Sequence, residues 1–181
     1  MKVHIDFEKA RLSGISGLII MFALVFACIV LSYVLLHNPH RDLHNKIFEI
    51  ADKTVNYYRD QPGYWKLSTQ SAIDNGLLDK NLKQLKEFDI QIGQGIDGAF
   101  SLPNNMSFDI TLKNLNKSAC ISLSEMTIAK DKQLLLQKIT VITSEKTTEF
   151  SWGEDNSLPV KKYSTRDICM PQDNIVMWTF Q

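Results

Sequence analysis

An uncharged apolar run near the N-terminus constrains this chain more than any other part of its sequence. Between Leu12 and Leu36 the residues are LSGISGLIIMFALVFACIVLSYVLL, with no Asp, Glu, Lys or Arg. Because an α-helix rises about 1.5 Å per residue, this run would be roughly 37 Å long and would cover the ~30 Å hydrocarbon core of a bilayer. A helix buried inside a soluble protein rarely lacks charge on every face over such a length. The run therefore predicts a transmembrane helix over residues 13–36.

A secretory signal peptide is the main alternative for the same run. Signal peptides carry a shorter apolar stretch, of about 7–15 residues, that ends at a small-residue cleavage site. Here the run ends instead in LLHNPHR, residues 35–41, which offers no such site. The sequence therefore favours a retained helix, with residues 1–12 as a cytoplasmic stub or a leader.

The three cysteines indicate on which side of the membrane the rest of the chain lies. Cys28 falls inside the apolar run and is interpreted as an inert packing residue. Cys120 and Cys169 are the only two beyond it, without CxxC spacing or neighbouring histidines, which favours one disulfide over a zinc site. Because disulfides persist in oxidising compartments, we expect the domain after the run to lie outside the cytoplasm.

The charge distribution agrees with this orientation and argues against a nucleic-acid partner. Lys2, Lys9 and Arg11 precede the run, whereas Arg41 and Lys46 follow it, a weak excess of positive charge on the N-terminal, cytoplasmic side. The formal net charge of the chain is +0. The sequence has neither the basic footprint of a nucleic-acid-binding protein nor a polybasic lipid patch, so no nucleic-acid partner is expected.

Residues 37–60 predict an amphipathic helix that continues the membrane helix after a bend at Pro39, whose ring removes one helical hydrogen bond. Its apolar positions recur every three or four residues with charges between them, at Leu43, Ile47, Ile50, Ala51, Thr54 and Tyr57 or Tyr58. We expect this face to pack on a globular domain formed by residues 61–181.

That domain is predicted to contain small helices and loops followed by a mostly antiparallel sheet. A short helix around residues 67–75 ends at Gly76, and another begins at Asn116. Residues 90–105 are rich in Gly, Asp and Asn and predict a loop with at most a short strand. Four strands are predicted, one from Met106 to Leu112 and then residues 134–143, 147–152 and 174–180. The fold class is therefore α+β, with the long helix covering an antiparallel sheet.

Together these features resemble a type IV pilin, in which a membrane helix continues as an amphipathic helix on an antiparallel sheet with a C-terminal disulfide loop. Residues 108–120 (FDITLKNLNKSAC) are similar to the T-x-x-N-x-x-K-S-A-C element of type IVb pilins, which supplies the first bonded cysteine. Residues 169–180 (CMPQDNIVMWTF) are similar to their ending, a second cysteine before the last strand. The resemblance is strongest to the PilS-type pilins of conjugative thin pili and covers residues 13–181 in architecture.

The resemblance implies processing and assembly. A prepilin peptidase would remove a basic leader after Gly14 and methylate the new N-terminus at Ile15, with Gly17 as a second candidate cleavage site. Before assembly the chain would cross the bacterial inner membrane once, with its N-terminus cytoplasmic and its domain periplasmic. Its helix would later pack among other pilin subunits, which would place the domain on the pilus at the cell surface.

One position departs from the family pattern. Pilins carry a glutamate as the fifth mature residue, which pairs with the N-terminal amine of the neighbouring subunit. This chain has Ile19 there, or Phe22 if cleavage follows Gly17. A carboxylate in hydrocarbon is kept only when it has a partner. A chain without one is unsuited to the role of major pilin, so the resemblance implies a minor pilin or pilin-like subunit that primes or caps the filament.

Two other functions stay open. One is an unprocessed, membrane-anchored periplasmic assembly factor of a pilus, secretion or conjugation system. The other is a membrane-tethered ligand-binding domain, in which Trp152 or Trp178 would contact a sugar. Packing in the core or at its rim is the more ordinary role of Trp65, Trp152 and Trp178.

Catalytic and metal sites are not expected. Three histidines at the membrane edge have helical spacing, but a proline interrupts it and no carboxylate accompanies them (His37, His40 and His44). The acidic loops at residues 97–98 and 154–156 lack the alternating oxygen ligands of a calcium loop. There is no catalytic or phosphate-binding motif and no histidine after position 44. We therefore expect no enzyme activity, no metal and no cofactor.

Overall fold

A computed structural model of the chain describes residues 19–30, 32, 39–81, 88–95, 106–125, 135–153 and 155–181. The chain divides into two compact units, Met1–Pro39 and His40–Gln181. The predicted processing positions, Gly14 and Ile15, lie outside the described residues, as does Gly17.

The first unit contains helix α1, described over residues 19–30 and again at residue 32. Its side chains are almost all apolar and all exposed, and Phe22 and Phe26 each have 69% of their surface open. Within the described residues, no helix combines the length and the apolar character needed to span a bilayer. Parts of the predicted transmembrane segment, residues 13–18, 31 and 33–36, lie outside the described residues, and that segment stays a prediction.

The second unit is built around a five-stranded antiparallel sheet. Its strands are β1 (Ile90–Gln94), β2 (Phe108–Leu115), β3 (Leu136–Ile142), β4 (Thr147–Ser151) and β5 (Asn174–Phe180). They lie in the order β1-β2-β5-β3-β4, so the C-terminal strand occupies the centre of the sheet and pairs with β2 and β3. The predicted α+β class and antiparallel sheet are confirmed, and β5 has the predicted bounds.

The strand register places large apolar side chains on one face of the sheet. A row of directly paired residues crosses all five strands and consists of Ile92, Ile110, Trp178, Ile139 and Phe150. All five side chains are buried. Because successive residues of a strand point to opposite faces of the sheet, these five side chains share one face. An apolar face of this kind is stable only when another part of the chain covers it.

Helix α2 (Pro39–Tyr58) provides that cover. Its buried residues recur at helical spacing and are Leu43, His44, Ile47, Phe48, Ile50, Ala51, Thr54 and Tyr58. The ring of Phe48 meets the ring of Phe180 on β5 edge-on, with 5.6 Å between the ring centroids. The predicted packing of an amphipathic helix on the sheet is therefore confirmed. The predicted bend at Pro39 also involves residues 37–38, which lie outside the described residues.

Aromatic rings connect the end of α2 to the same core. The ring centroid of Tyr64 lies 5.5 Å from that of Tyr58 and 4.6 Å from that of Phe108 on β2. Phe108 in turn stacks on Phe180 at 5.4 Å. Aromatic pairs of this kind contribute about 0.5–1.5 kcal/mol each beyond the area they bury. With Phe48 they form a continuous cluster from the helix to two adjacent strands of the sheet.

The opposite face of α2 is charged. The carboxylate of Glu49 accepts hydrogen bonds from Lys46 at 2.6 Å and Lys53 at 2.9 Å, and these bonds lower the pKa of its carboxyl to about 2. All three side chains are largely exposed, so the ion pairs contribute little to stability. Their main effect is to keep this face of the helix in water.

The short helix α3 (Thr69–Asp74) lies within the predicted range of residues 67–75 and ends before Gly76, as predicted. At its beginning the side chain of Ser68 accepts the N–H of Ser71, and the side chain of Ser71 accepts the N–H of Ser68. After its end, Gly76 has φ of +69°, a left-handed conformation that glycine adopts without strain.

Removing the Phe48 ring tests whether α2 covers the sheet. We expect Phe48→Ala to lower the free energy of unfolding by about 3–5 kcal/mol, because the buried ring would leave a cavity. Tyr57→Ala is the matched control on the same helix, because Tyr57 is exposed, and it should cost less than about 1 kcal/mol. Urea unfolding of the full chain in detergent micelles, followed by tryptophan fluorescence, measures both. Equal costs would contradict the packing of α2 on the sheet.

Candidate functional site

A disulfide joins two segments of the C-terminal half of the domain. Cys120 lies on helix α4 (Lys117–Ser124) and Cys169 lies in the segment before β5; their sulfurs are bonded and both residues are buried. Asn116 caps the helix, because its side-chain oxygen accepts the N–H of Ala119 at 2.9 Å. The predicted helix start at Asn116 and the predicted Cys120–Cys169 disulfide are both confirmed.

Asn174 ties the segment after the disulfide to the end of β2. Its buried side-chain nitrogen donates to the carbonyl oxygens of Leu115 and Met170, both at 2.8 Å. Its side-chain oxygen accepts the N–H of Met170 at 2.7 Å. A buried amide is favourable only when its polar atoms are paired in this way. Asn174 therefore fixes the turn that leads into the central strand.

Glu125, directly after α4, binds the loop formed by residues 161–167 through its carboxylate. Oε1 accepts both the N–H and the O–H of Thr165, each at 2.7 Å. Oε2 accepts the N–H of Tyr163, also at 2.7 Å. Hydrogen bonds to an ionised acceptor are stronger than those between neutral groups. The loop is therefore anchored by Glu125 and, at its end, by the disulfide of Cys169.

The contacts of Glu125 determine its protonation. Partial burial by itself would raise the pKa of its carboxyl. The hydrogen bonds from Thr165 and Tyr163, together with the positive charge of Arg166, outweigh burial and hold the pKa below its ordinary value. The group is therefore an ionised carboxylate at neutral pH.

The outward side of the loop carries an aromatic ring flanked by cations. Lys161, Lys162, Tyr163 and Arg166 are exposed, and Tyr163 has 54% of its surface open. Nζ of Lys162 lies 5.0 Å and Cζ of Arg166 lies 4.6 Å from the centre of the Tyr163 ring, within the range of cation–π attraction. Tyr163 also has φ of +73°, which is rare for a bulky side chain. Strained, well-anchored loops of this kind are frequent where side chains are presented to a partner.

The histidines considered for a metal site are only partly described. His44 is buried, and its ring centroid lies 4.7 Å from that of Phe48. The side chain of His40 is not described, and His37, residues 97–98 and Glu154 lie outside the described residues. In the part of the chain that the structure describes, no group of three or more His, Cys, Asp or Glu is placed to hold a metal ion.

The three tryptophans have different environments. Trp178 is buried in the centre of the sheet, which confirms the expected role as a core residue and leaves its ring inaccessible to the sugar contact of the alternative function. Trp65 is 51% exposed, with Nζ of Lys66 at 4.2 Å from its ring. Trp152 is 40% exposed, and its indole N–H donates to the carbonyl oxygen of Leu136 at 2.7 Å. One tryptophan therefore belongs to the core and two lie at its rim.

Sequence patterns alone do not identify Glu125 or the loop that it anchors. The available signal is the run KKYSTR at residues 161–166, three cations around one aromatic residue in an otherwise balanced chain. The carboxylate that holds this run lies 40 residues from Thr165, and no local pattern predicts a pairing over that distance.

No protein-family model, curated protein or solved structure matches this chain. The resemblance to type IV pilins therefore rests on the residues quoted for it, and membership of that family stays a prediction.

Replacing the carboxylate of Glu125 tests the anchor through its pH dependence. At pH 7 we expect Glu125→Gln to lower the free energy of unfolding by roughly 1–3 kcal/mol, because hydrogen bonds to an ionised group are lost. The folded carboxyl has a lowered pKa, so this stabilisation is fully present above the unfolded pKa of about 4.3 and is lost as pH falls through the folded pKa. Unfolding free energies measured from pH 7 to pH 2 should therefore converge in acid. A difference that does not change with pH would contradict an ionised anchor.

Breaking the disulfide tests how much of the domain depends on it. The two cysteines are 49 residues apart, and on the loop-entropy account closing such a loop stabilises the fold by roughly 4 kcal/mol. Because a small domain is stable by only about 5–15 kcal/mol in total, we expect Cys169→Ser to leave little folded protein. Cys28→Ser is the control, since Cys28 is not bonded, and should accumulate normally. Immunoblots of membrane fractions compare the two, and equal amounts would contradict this expectation.

Proposed function

We propose that this chain is a minor pilin or pilin-like subunit of a type IVb or conjugative thin pilus, and that it primes or caps the filament. The observation that carries the proposal is the order of its parts. An apolar helix comes first, then an amphipathic helix packed on an antiparallel sheet, and then a disulfide that closes onto the last strand. The family that the sequence resembles has the same parts in the same order.

In this proposal the function is mechanical and not enzymatic. The apolar side chains of α1 are exposed in the described residues, and such a helix is stable only among lipid tails or other apolar helices. Assembly would exchange the lipid contacts of the inner membrane for contacts with the helices of other pilin subunits. Subunits that add head to tail without closing a ring form a fibre.

Ile19 supports a place at the end of the filament. Its apolar side chain is exposed on α1, at the position where the family has a glutamate. The N-terminal amine of a neighbour would find no counter-charge there, and an unpaired charge among apolar helices is costly. A subunit that primes or caps the filament does not have to neutralise such an amine.

The disulfide supports the proposed location. Because disulfides persist in oxidising compartments, the bond fits a domain on the periplasmic side of the bacterial inner membrane. In this proposal the N-terminus lies in the cytoplasm. After assembly the same domain would be carried to the cell surface on the pilus.

The N-terminus of the native protein tests this proposal. If a prepilin peptidase acts on the chain, mass spectrometry of protein from its native membrane will find a chain that begins at a methylated Ile15. Gly14→Leu should then block removal of the leader, whereas Gly17→Leu should be processed normally. The reverse pattern would place the cleavage after Gly17.

A chain that keeps Met1 in the native membrane would contradict the pilin proposal. It would favour the second candidate function, an unprocessed periplasmic assembly factor that stays anchored by its apolar helix. Ile19 is the observation that favours this candidate, because a protein that never enters a filament has no use for the missing glutamate.

A further inference from the structure

We propose that the basic loop, defined as residues 161–167, is a binding surface for an acidic polysaccharide. The inference rests on the charge, the anchoring and the exposed chemistry of this loop. It does not depend on whether the chain enters a filament.

The basic loop carries an excess of positive charge that the described part of the chain neutralises only in part. Lys161, Lys162 and Arg166 are exposed, and Asp167 is the loop's one acid. The ion pairs found among the described residues lie elsewhere, on α2 and between β3 and β4. The carboxylate of Glu125 accepts three hydrogen bonds from the loop and keeps its negative charge, which offsets part of the charge of Arg166. Lys161 and Lys162 are exposed without an ion pair among the described residues and are available to an external anion, with Arg166 beside them.

The loop is anchored by contacts within the domain itself. Glu125 fixes the backbone at Tyr163 and Thr165, and the side chain of Thr165 is fully buried. Within the loop the N–H of Ser164 donates to the carbonyl of Lys161 at 3.0 Å, and beyond its end the N–H of Cys169 donates to the carbonyl of Thr165 at 2.8 Å. A surface ordered in this way loses little conformational entropy on binding.

The Tyr163 ring holds two of the loop's cations close together and is not a separate apolar contact site. Lys162 and Arg166 both lie against this ring, at 5.0 and 4.6 Å from its centre. Cation–π attraction keeps both positive groups near one point on the surface without removing their charge. What the loop presents is therefore a compact cationic surface.

The exposed side chains of the loop favour a hydrated polyanion as the binding partner over a membrane or another protein. Surfaces that bind at a bilayer add exposed aliphatic or aromatic side chains that insert between lipids, and protein interfaces have an apolar centre. The basic loop has no exposed aliphatic side chain, and its aromatic ring already contacts cations. Outside the cytoplasm, where we propose that the disulfide-bonded domain lies, an acidic polysaccharide offers charge without requiring apolar contact.

Binding to immobilised dextran sulfate, with neutral dextran as the reference, tests the inference. The full chain in a non-ionic detergent is used, as wild type and as the triple variant Lys161→Gln, Lys162→Gln and Arg166→Gln. We expect the wild type to bind dextran sulfate only, and its affinity to fall roughly tenfold between 50 and 200 mM salt, as for other polyanion contacts. The triple variant should bind at least about tenfold more weakly at the lower salt concentration.

A second triple variant with the same loss of charge provides the matched control. Lys66→Gln, Lys80→Gln and Lys146→Gln remove three exposed cations outside the loop and should leave the affinity within about twofold of wild type. Near-ultraviolet circular dichroism verifies that each variant is folded. If the loop triple variant is not folded, the pair Lys161→Gln and Lys162→Gln, which keeps Arg166 beside Glu125, replaces it and should still weaken binding several-fold.

Several outcomes would overturn the inference. Equal weakening in the loop variant and the control variant would mean that only net charge matters. Equal binding to neutral dextran would exclude charge as the cause. Tighter binding to phosphatidylglycerol vesicles, or to double-stranded DNA at the same concentration of negative charge, would assign the loop to a different partner.

Discussion

The Cys120–Cys169 disulfide is the one link on which both the C-terminal half of the domain and its inferred location depend. It joins α4, which follows β2, to the segment that leads into the central strand β5. Five residues after Cys120, Glu125 joins the same two segments again through the loop before Cys169. A covalent bond and a cluster of charged hydrogen bonds therefore hold one pair of segments at two neighbouring points. This double attachment stabilises a loop in which Tyr163 has a strained backbone angle.

The helices of the two units need different surroundings, and this difference connects the structure to the proposed role. In α2 one face is buried on the sheet through Phe48, and the other carries charges that face water. Both faces of this helix therefore have suitable surroundings within its own unit. In α1 the described side chains are almost all apolar, and all of them are exposed. A helix of that composition requires lipid or other helices as partners. The proposal of a subunit that moves from a membrane into a filament follows from this unmet requirement together with the family resemblance.

Local sequence patterns predict the elements of this fold better than they predict its loops. The bounds of β5 follow from the apolar run at residues 174–180, and the start of α4 follows from the capping residue Asn116. The disulfide is predictable because only two cysteines lie beyond the apolar run. Strand β1 is only partly predicted, since Ile90–Gln94 is a short alternating stretch beside many loop-forming residues. The anchor at Glu125 is not predicted, because it depends on tertiary packing that brings distant residues together and not on a period within one element.

The redox state of the three cysteines in the native protein tests the central claim most directly. The chain is purified from its native membrane without reductant, alkylated in denaturant, digested and analysed by mass spectrometry. The account predicts that only Cys28 is alkylated, and that the peptides containing Cys120 and Cys169 are recovered as one disulfide-linked pair. Alkylation of both Cys120 and Cys169 would contradict it, because the domain would then lack its main covalent tie and the evidence for an oxidising compartment would be lost.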